Sequence, residues 1–128
     1  MILDSSALVA LILRESGHEA LRRVADDAPA IGVGTPTLVE TGIVLHARIG
    51  GVARTALERL LDDAGVERIS FTERHWPVAL RAFARYGKGR HAAALNLGDC
   101  FTYATATLAG EPLLCVGDDF AQTDLELA

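Results

Sequence analysis

Acidic residues follow apolar strands at two places in this chain. Asp4 comes directly after the short apolar strand Ile2-Leu3, and Asp118 and Asp119 follow a second apolar run. If both strands are central and parallel, the acids emerge at the same edge of the sheet, where α/β folds form their sites. Each acid taken singly also suits a helix cap or a solvated turn.

Two more acids lie near the starts of predicted helices. Asp99 comes three residues after Asn96, which is the spacing of a capping box. The N–H groups and the dipole at such a helix end favour negative charge. Glu40 lies early in a helix that we expect to begin at Thr35-Pro36 with the Thr35 hydroxyl as its cap, and it can point inward. Either acid could instead serve only the helix terminus.

Four carboxylates at one edge of a sheet repel one another unless a cation lies among them. Mg²⁺ and Mn²⁺ are hard ions that suit oxygen ligands. An ion held in this way can activate water and hold a phosphate during in-line displacement. The acids therefore predict a metal-dependent site that can act on a phosphate group.

The one concentrated basic stretch is Arg85–His91, which reads Arg-Tyr-Gly-Lys-Gly-Arg-His. Lys88, Arg90 and His91 are candidates for contacts with phosphate, and Tyr86 could stack on a base. A solvated loop is the alternative. With 12 basic against 17 acidic residues and a net charge of −5, the whole chain does not attract nucleic acid, so binding of nucleic acid requires such a local patch or metal ions.

Short apolar strands alternate with amphipathic helices and must position these residues. Half of the 128 residues are hydrophobic, which suits one folded domain over residues 1–128. We expect strands at 2–3, 31–33, 66–71 and 112–116, a last edge strand at 123–127, and helices at 5–17, 18–28, 35–50, 52–64, 73–85 and 96–110. This order predicts an α/β fold with a short, mostly parallel sheet covered by helices on both faces.

The two cysteines, Cys100 and Cys115, lie in apolar runs and predict buried thiols in a reducing compartment. The N-terminal residues lack the layout of a signal peptide. No apolar run approaches the roughly 18 residues of a membrane span. We expect a cytoplasmic protein without a membrane partner.

Several of these segments resemble the PIN-domain ribonucleases, and more narrowly the VapC toxins of type II toxin–antitoxin systems. They are the opening Ile-Leu-Asp-Ser-Ser-Ala, Glu40 on the third helix, Tyr-Gly-Lys-Gly-Arg-His before Leu-Asn-Leu-Gly-Asp-Cys, and Leu-Leu-Cys-Val-Gly-Asp-Asp-Phe-Ala-Gln-Thr-Asp-Leu. The resemblance covers essentially the whole chain. It implies a three-layer α/β/α fold, a Mg²⁺- or Mn²⁺-dependent endoribonuclease, inhibition by a VapB-type antitoxin, and a homodimer.

The resemblance also implies roles for individual residues. It matches the first three acids of the family to Asp4, Glu40 and Asp99. It favours Asp119 as the fourth, because the usual Thr-x-Asp aligns with the second aspartate of the pair. Gly117 stands where Thr or Ser is common, so the choice between Asp118 and Asp119 stays open. Ser6 matches a small hydroxyl residue that supports the site.

The mechanism we expect is hydrolysis of an RNA phosphodiester. Asp4 and Asp99 hold the main metal and Glu40 and Asp119 complete the site, so that activated water leaves a 5′-phosphate and a 3′-hydroxyl without using the 2′-OH. A signalling receiver domain is a competing interpretation, but it needs a lysine near the last strand and the only lysine is Lys88. A catalytically silent PIN-fold binding module is a second one.

An amphipathic antitoxin helix could lie on apolar helix faces, with a basic residue in the acidic groove. Two leucine-rich stripes are candidates: residues 8, 11 and 12, and residues 57, 60 and 61. A stripe that faces the core has the same pattern in sequence.

Overall fold

A computed structural model describes all residues, Met1–Ala128. Four strands form one parallel sheet in the order β3-β2-β1-β4. The strands are β1 (Ile2–Leu3), β2 (Gly32–Gly34), β3 (Glu67–Ile69) and β4 (Leu113–Leu114). The helices are α1 (Ser5–Leu13), α2 (His18–Asp27), α3 (Thr35–Ile49), α4 (Ala53–Asp63), α5 (His75–Tyr86) and α6 (Leu97–Ala109), with 3₁₀ turns at Gly50–Val52 and Phe120–Gln122.

The strand β1 lies in the middle of the sheet and sets the position of Asp4. Ile2 pairs with Gly32 on one side and with Leu113 on the other, and Leu3 pairs with Leu114. Because all strands are parallel, their carboxyl ends share one edge. Asp4 therefore lies beside the chain that leaves β4.

The sheet separates two hydrophobic cores. One core is formed with side chains of α1 to α4, and the other with side chains of α5 and α6. Leu3 and Leu114 belong to the first core, whereas Ile2 and Leu113 belong to the second, because successive side chains of a strand point to opposite faces. The predicted α/β/α arrangement is confirmed.

Three local predictions are wrong. The segment 123–127 forms no strand; a 3₁₀ turn precedes it and only Leu127 bridges to Leu113. Thr35 is the first residue of α3 and not its cap, which is Gly34 with no side-chain hydrogen bond. The two leucine-rich stripes lie in or against the first core, except for Leu11, which is buried, so they are not free for an antitoxin helix. No helix of the chain is long and apolar enough to cross a membrane.

Candidate metal-binding and catalytic site

Asp4 is buried, and both oxygens of its carboxylate accept hydrogen bonds. It caps α1, and its Oδ2 accepts hydrogen bonds from the Ser6 N–H at 3.0 Å and the Ser6 Oγ at 2.6 Å. Its Oδ1 accepts from the Thr102 Oγ1 of α6 at 3.0 Å. Only 3% of Asp4 is exposed. These bonds fix the carboxylate at the carboxyl edge of the sheet.

Ser6 connects Asp4 with the segment that carries the aspartate pair. Its hydroxyl donates to Asp4 and accepts from the Val116 N–H at 2.9 Å. One oxygen therefore links the start of α1 to the chain after β4. This contact supports the structural role expected for Ser6.

Asp99 forms a complete capping box at the start of α6. Its N–H donates to the Asn96 Oδ1 at 2.9 Å, and its Oδ2 accepts from the Asn96 N–H at 3.0 Å. Burial is the largest cause that raises the pKa of Asp99, to about 6. The charges of Asp4, Asp119 and Glu40 contribute to this rise, and the hydrogen bond from the Asn96 N–H opposes it. Four of the predicted acids therefore share one electrostatic environment.

Glu40 reaches the same region from α3. Its half-buried carboxylate lies directly against Gly98, the residue before Asp99 in the first turn of α6. The packing of α3 against α6 brings these helix ends together.

The two aspartates after β4 differ in their surroundings. The charge of Asp119 helps to raise the pKa of Asp99, and it also acts on Cys115, whose pKa burial raises to about 11. Both aspartates are exposed. Asp119 directly precedes Phe120, which is buried in the second core. The choice of Asp119 over Asp118 as the fourth acid stays a prediction.

The donor set suits a hard divalent cation. As the side chains lie, no three His, Cys, Asp or Glu groups come close enough to enclose a metal ion. Mg²⁺ keeps several of its waters and is commonly bound through one or two carboxylates, so such enclosure is not required. Asp4 is held in place without a metal, and mutual repulsion among the carboxylates would be relieved by a cation. The residues present supply oxygen donors of the type that such an ion prefers.

The basic segment after α5 is only partly exposed. Lys88, Arg90 and His91 are exposed in a loop that leads to the cap of α6. Tyr86 is 4% exposed and packs against Tyr103 in the second core, so its ring is not free to stack on a base. The prediction for Tyr86 is wrong because its position on α5 faces inward.

Thr102 and Thr37 belong to the site and were missed from sequence. Thr102 is buried and uses its only hydroxyl hydrogen on Asp4, so Thr37 must donate the 3.1 Å hydrogen bond between the two threonines. Thr102 follows Asp99 by three residues, a spacing that places both on one side of α6. That spacing was the available signal.

Comparisons with known proteins agree with this geometry. The PIN domain family matches residues 1–126. Ribonuclease VapC36 of Mycobacterium tuberculosis is 54% identical over 127 residues, which are 98% of this chain and 91% of that protein. Ribonuclease VapC of Mycolicibacterium smegmatis is 40% identical over 125 residues, which are 98% of this chain and 97% of that protein.

Solved structures share the fold at low sequence identity. Mycobacterium tuberculosis VapC20, described as a sarcin-ricin loop cleaving toxin, has a TM-score of 0.81 at 19% identity, with 99% of this chain and 97% of that one covered. VapBC2 from Rickettsia felis, bound to a promoter DNA fragment, has a TM-score of 0.76 at 14% identity. The match covers 99% of this chain and 96% of that one. The chain therefore belongs to the PIN-domain family and, within it, to the VapC ribonucleases.

Proposed function

We propose that the chain is the toxin of a type II toxin–antitoxin system and cleaves RNA internally with Mg²⁺ or Mn²⁺. The observation that carries the proposal is the convergence of carboxylates from four parts of the chain: Asp4, Asp119 and Glu40 all act on Asp99. Residues 1–128 form one catalytic domain in this proposal. Two free cysteines, one buried and one half-buried, suit a reducing cytoplasm.

Each side chain has a part in the proposed hydrolysis. Asp4 and Asp99 hold the metal, and Glu40 and Asp119 complete the site directly or through water. When bound, the ion activates water and offsets charge on the scissile phosphate. Ser6 and Thr102 keep the Asp4 carboxylate oriented through the hydrogen bonds described above.

Exposed cations provide the binding site for the RNA backbone. Lys88, Arg90 and His91 lie in the loop that ends at Asn96, the cap of the helix that carries Asp99. This loop supplies the local positive charge that a chain of net charge −5 needs beside its acids. The phosphodiester backbone is thereby held at the edge of the acid cluster.

The first prediction concerns cleavage of a labelled pool of structured RNA. Purified antitoxin-free protein is expected to cut RNA with Mg²⁺ or Mn²⁺ and to stop in EDTA. Asp119→Asn should lower the rate by at least about tenfold, whereas the matched Asp118→Asn should stay within about twofold. Undiminished cutting in EDTA would contradict the metal mechanism. Metal binding without cutting of any RNA would instead support a silent PIN-fold binding module.

We further propose a VapB-type antitoxin as the partner that silences the site. Four carboxylates near one edge attract a cationic side chain from a partner, which would compete with the metal. The family membership and the architecture shared with VapBC2 support such a partner. The two leucine-rich stripes are excluded as its docking faces because they are used by the core.

We also propose a homodimer, formed through an apolar face on α3, α5 and α6. This apolar face is made of seven large side chains that are 38% to 70% exposed: Val39, Ile43, Val44, Trp76, Leu80, Phe83 and Leu97. Their exposed surface sums to roughly 700 Å², close to the 800 Å² or so that each partner buries in a standard interface. A monomer rarely exposes so large an apolar patch.

The shape and chemistry of the apolar face suit a second copy. A groove of about 450 Å³ between α5 and α6 is lined only by apolar side chains, so it offers no cation to RNA phosphates. Leu97 and Phe101 line both this groove and a neighbouring one beside α3. A ridge between two grooves can insert into a groove of a copy related by two-fold symmetry, while the ridge of that copy inserts into the equivalent groove of the first.

The second prediction tests this interface by light scattering after size exclusion. At micromolar concentration the protein is expected to be a dimer, and Leu80→Arg is expected to be monomeric because a charge would be buried in the contact. Val52→Arg is the matched control, since Val52 is 61% exposed but lies outside the apolar face. A dimer that survives Leu80→Arg would contradict this location.

A further inference from the structure

Gly98 occupies a position at which a side chain would collide with Glu40. A Cβ built on Gly98 would overlap the carboxylate oxygen and would lie 2.6 Å from Glu40 Cδ and 3.0 Å from Oε1. All three nearest atoms belong to this one carboxyl group. The absence of a side chain at position 98 therefore creates the space that the carboxylate fills.

The backbone gives no other reason for glycine here. Gly98 is the second residue of α6 and does not have the positive φ that favours glycine. Within a helix, alanine is preferred over glycine because glycine loses more conformational freedom on folding. Gly42, on α3 near Glu40, has open space around it and shows what a helical glycine without this contact looks like.

We propose that Gly98 is a positioning residue for Glu40: it lets the carboxylate extend from α3 to the first turn of α6, beside Asp99. The inference rests on the proposed function in so far as Glu40 belongs to the metal site. The clash with a Cβ involves the end of a flexible side chain and not the backbone. Gly98→Ala should therefore move the carboxylate by about 1 Å or more and leave the fold intact.

A double-mutant cycle on Mn²⁺ affinity, measured by calorimetry, tests the inference. Gly98→Ala should weaken Mn²⁺ binding roughly tenfold, as loss of orienting contacts does at other metal sites. Gly42→Ala, the matched control, should change the affinity less than twofold. In a Glu40→Ala background, Gly98→Ala should have no further effect, because the group on which it acts is gone. Equal weakening in both backgrounds, or no weakening with Glu40 present, would overturn the inference.

A metal-free readout separates this inference from the proposed function. Crystals of metal-free Gly98→Ala should show the Glu40 carboxylate displaced with α6 in place, and its melting temperature should equal or exceed that of the parent. If the parent binds no Mn²⁺, the proposed function fails, while the displacement still supports the role of Gly98. A carboxylate that stays in place while α6 shifts overturns the inference, whatever the metal affinity.

Discussion

Asp4→Ala is expected to abolish RNA cleavage and to lower the free energy of unfolding by about 2–4 kcal/mol. The substitution removes the cap of α1 and the acceptor of three hydrogen bonds. It leaves the buried Thr102 hydroxyl without its acceptor. The relief of repulsion from Asp99 and Asp119 offsets only part of this loss, because those two carboxylates remain partly solvated.

Asp4→Asn separates the catalytic loss from the structural one. The amide oxygen can still accept from Ser6. The amide N–H₂ can donate to Thr102 if the Thr102 hydroxyl then donates to Thr37 instead of accepting from it, so the stability change should stay below about 1 kcal/mol. Cleavage should nevertheless fall at least about a hundredfold, because the charge that holds the metal is lost. Chemical denaturation measures the first effect and RNA cleavage the second. Activity retained in Asp4→Asn would exclude Asp4 as a metal ligand.

Asp99→Asn is expected to be more stable than the parent without metal and less stable than the parent with metal. The pKa of Asp99 rises from its ordinary 3.8 to about 6, so ionised Asp99 opposes folding. This cost is complete above pH 6 and disappears as the pH falls towards 4. Because solvent screens the partly exposed side chain, we count only half of the free energy that the pKa shift corresponds to. The free energy of unfolding of Asp99→Asn should therefore exceed that of the parent by about 1–1.5 kcal/mol at pH 8.

Thermal melting with and without metal measures both effects. At pH 8 without metal, Asp99→Asn should melt roughly 3–6 °C above the parent, and at pH 4 the difference should vanish. A saturating divalent ion should raise the melting temperature of the parent by more than this difference, because the ion binds only the folded state. It should leave the melting temperature of the variant nearly unchanged. Asp118→Asn is the matched control and should respond to metal as the parent does. A variant that melts below the parent at pH 8 without metal would show that burial and the neighbouring acids do not raise the pKa of Asp99.

The sequence predicted the fold and the places of the acids at strand ends and helix starts because both follow recognisable patterns. Strand ends in a parallel sheet share one edge, and the Asn96–Asp99 capping box is a local motif that the structure contains as expected. The assignment to the PIN-domain ribonucleases, and to the VapC group within them, is confirmed by the comparisons. The roles of the individual acids stay predictions that the substitutions above test.

The errors and omissions arose where tertiary packing decides. Tyr86 lies next to Arg85 and Gly87 in a basic stretch, yet its position on α5 turns it into the second core. The leucine-rich stripes have the pattern of a docking face, but the core uses them. The contact between Gly98 and Glu40 joins residues that are far apart in sequence, so no local pattern predicts it.

The two cores on opposite faces of the sheet have a consequence for the lifetime of the assembled site. Each core is built almost entirely from one contiguous half of the chain, and each half supplies two of the four acids. Such halves can open as separate cooperative units. Opening of either half would separate its two acids from the other two while the other half stays folded. The four acids are therefore assembled only as long as the half with the lower amide protection in hydrogen exchange stays folded. The two halves, expressed separately, should show nuclease activity only after they reassociate.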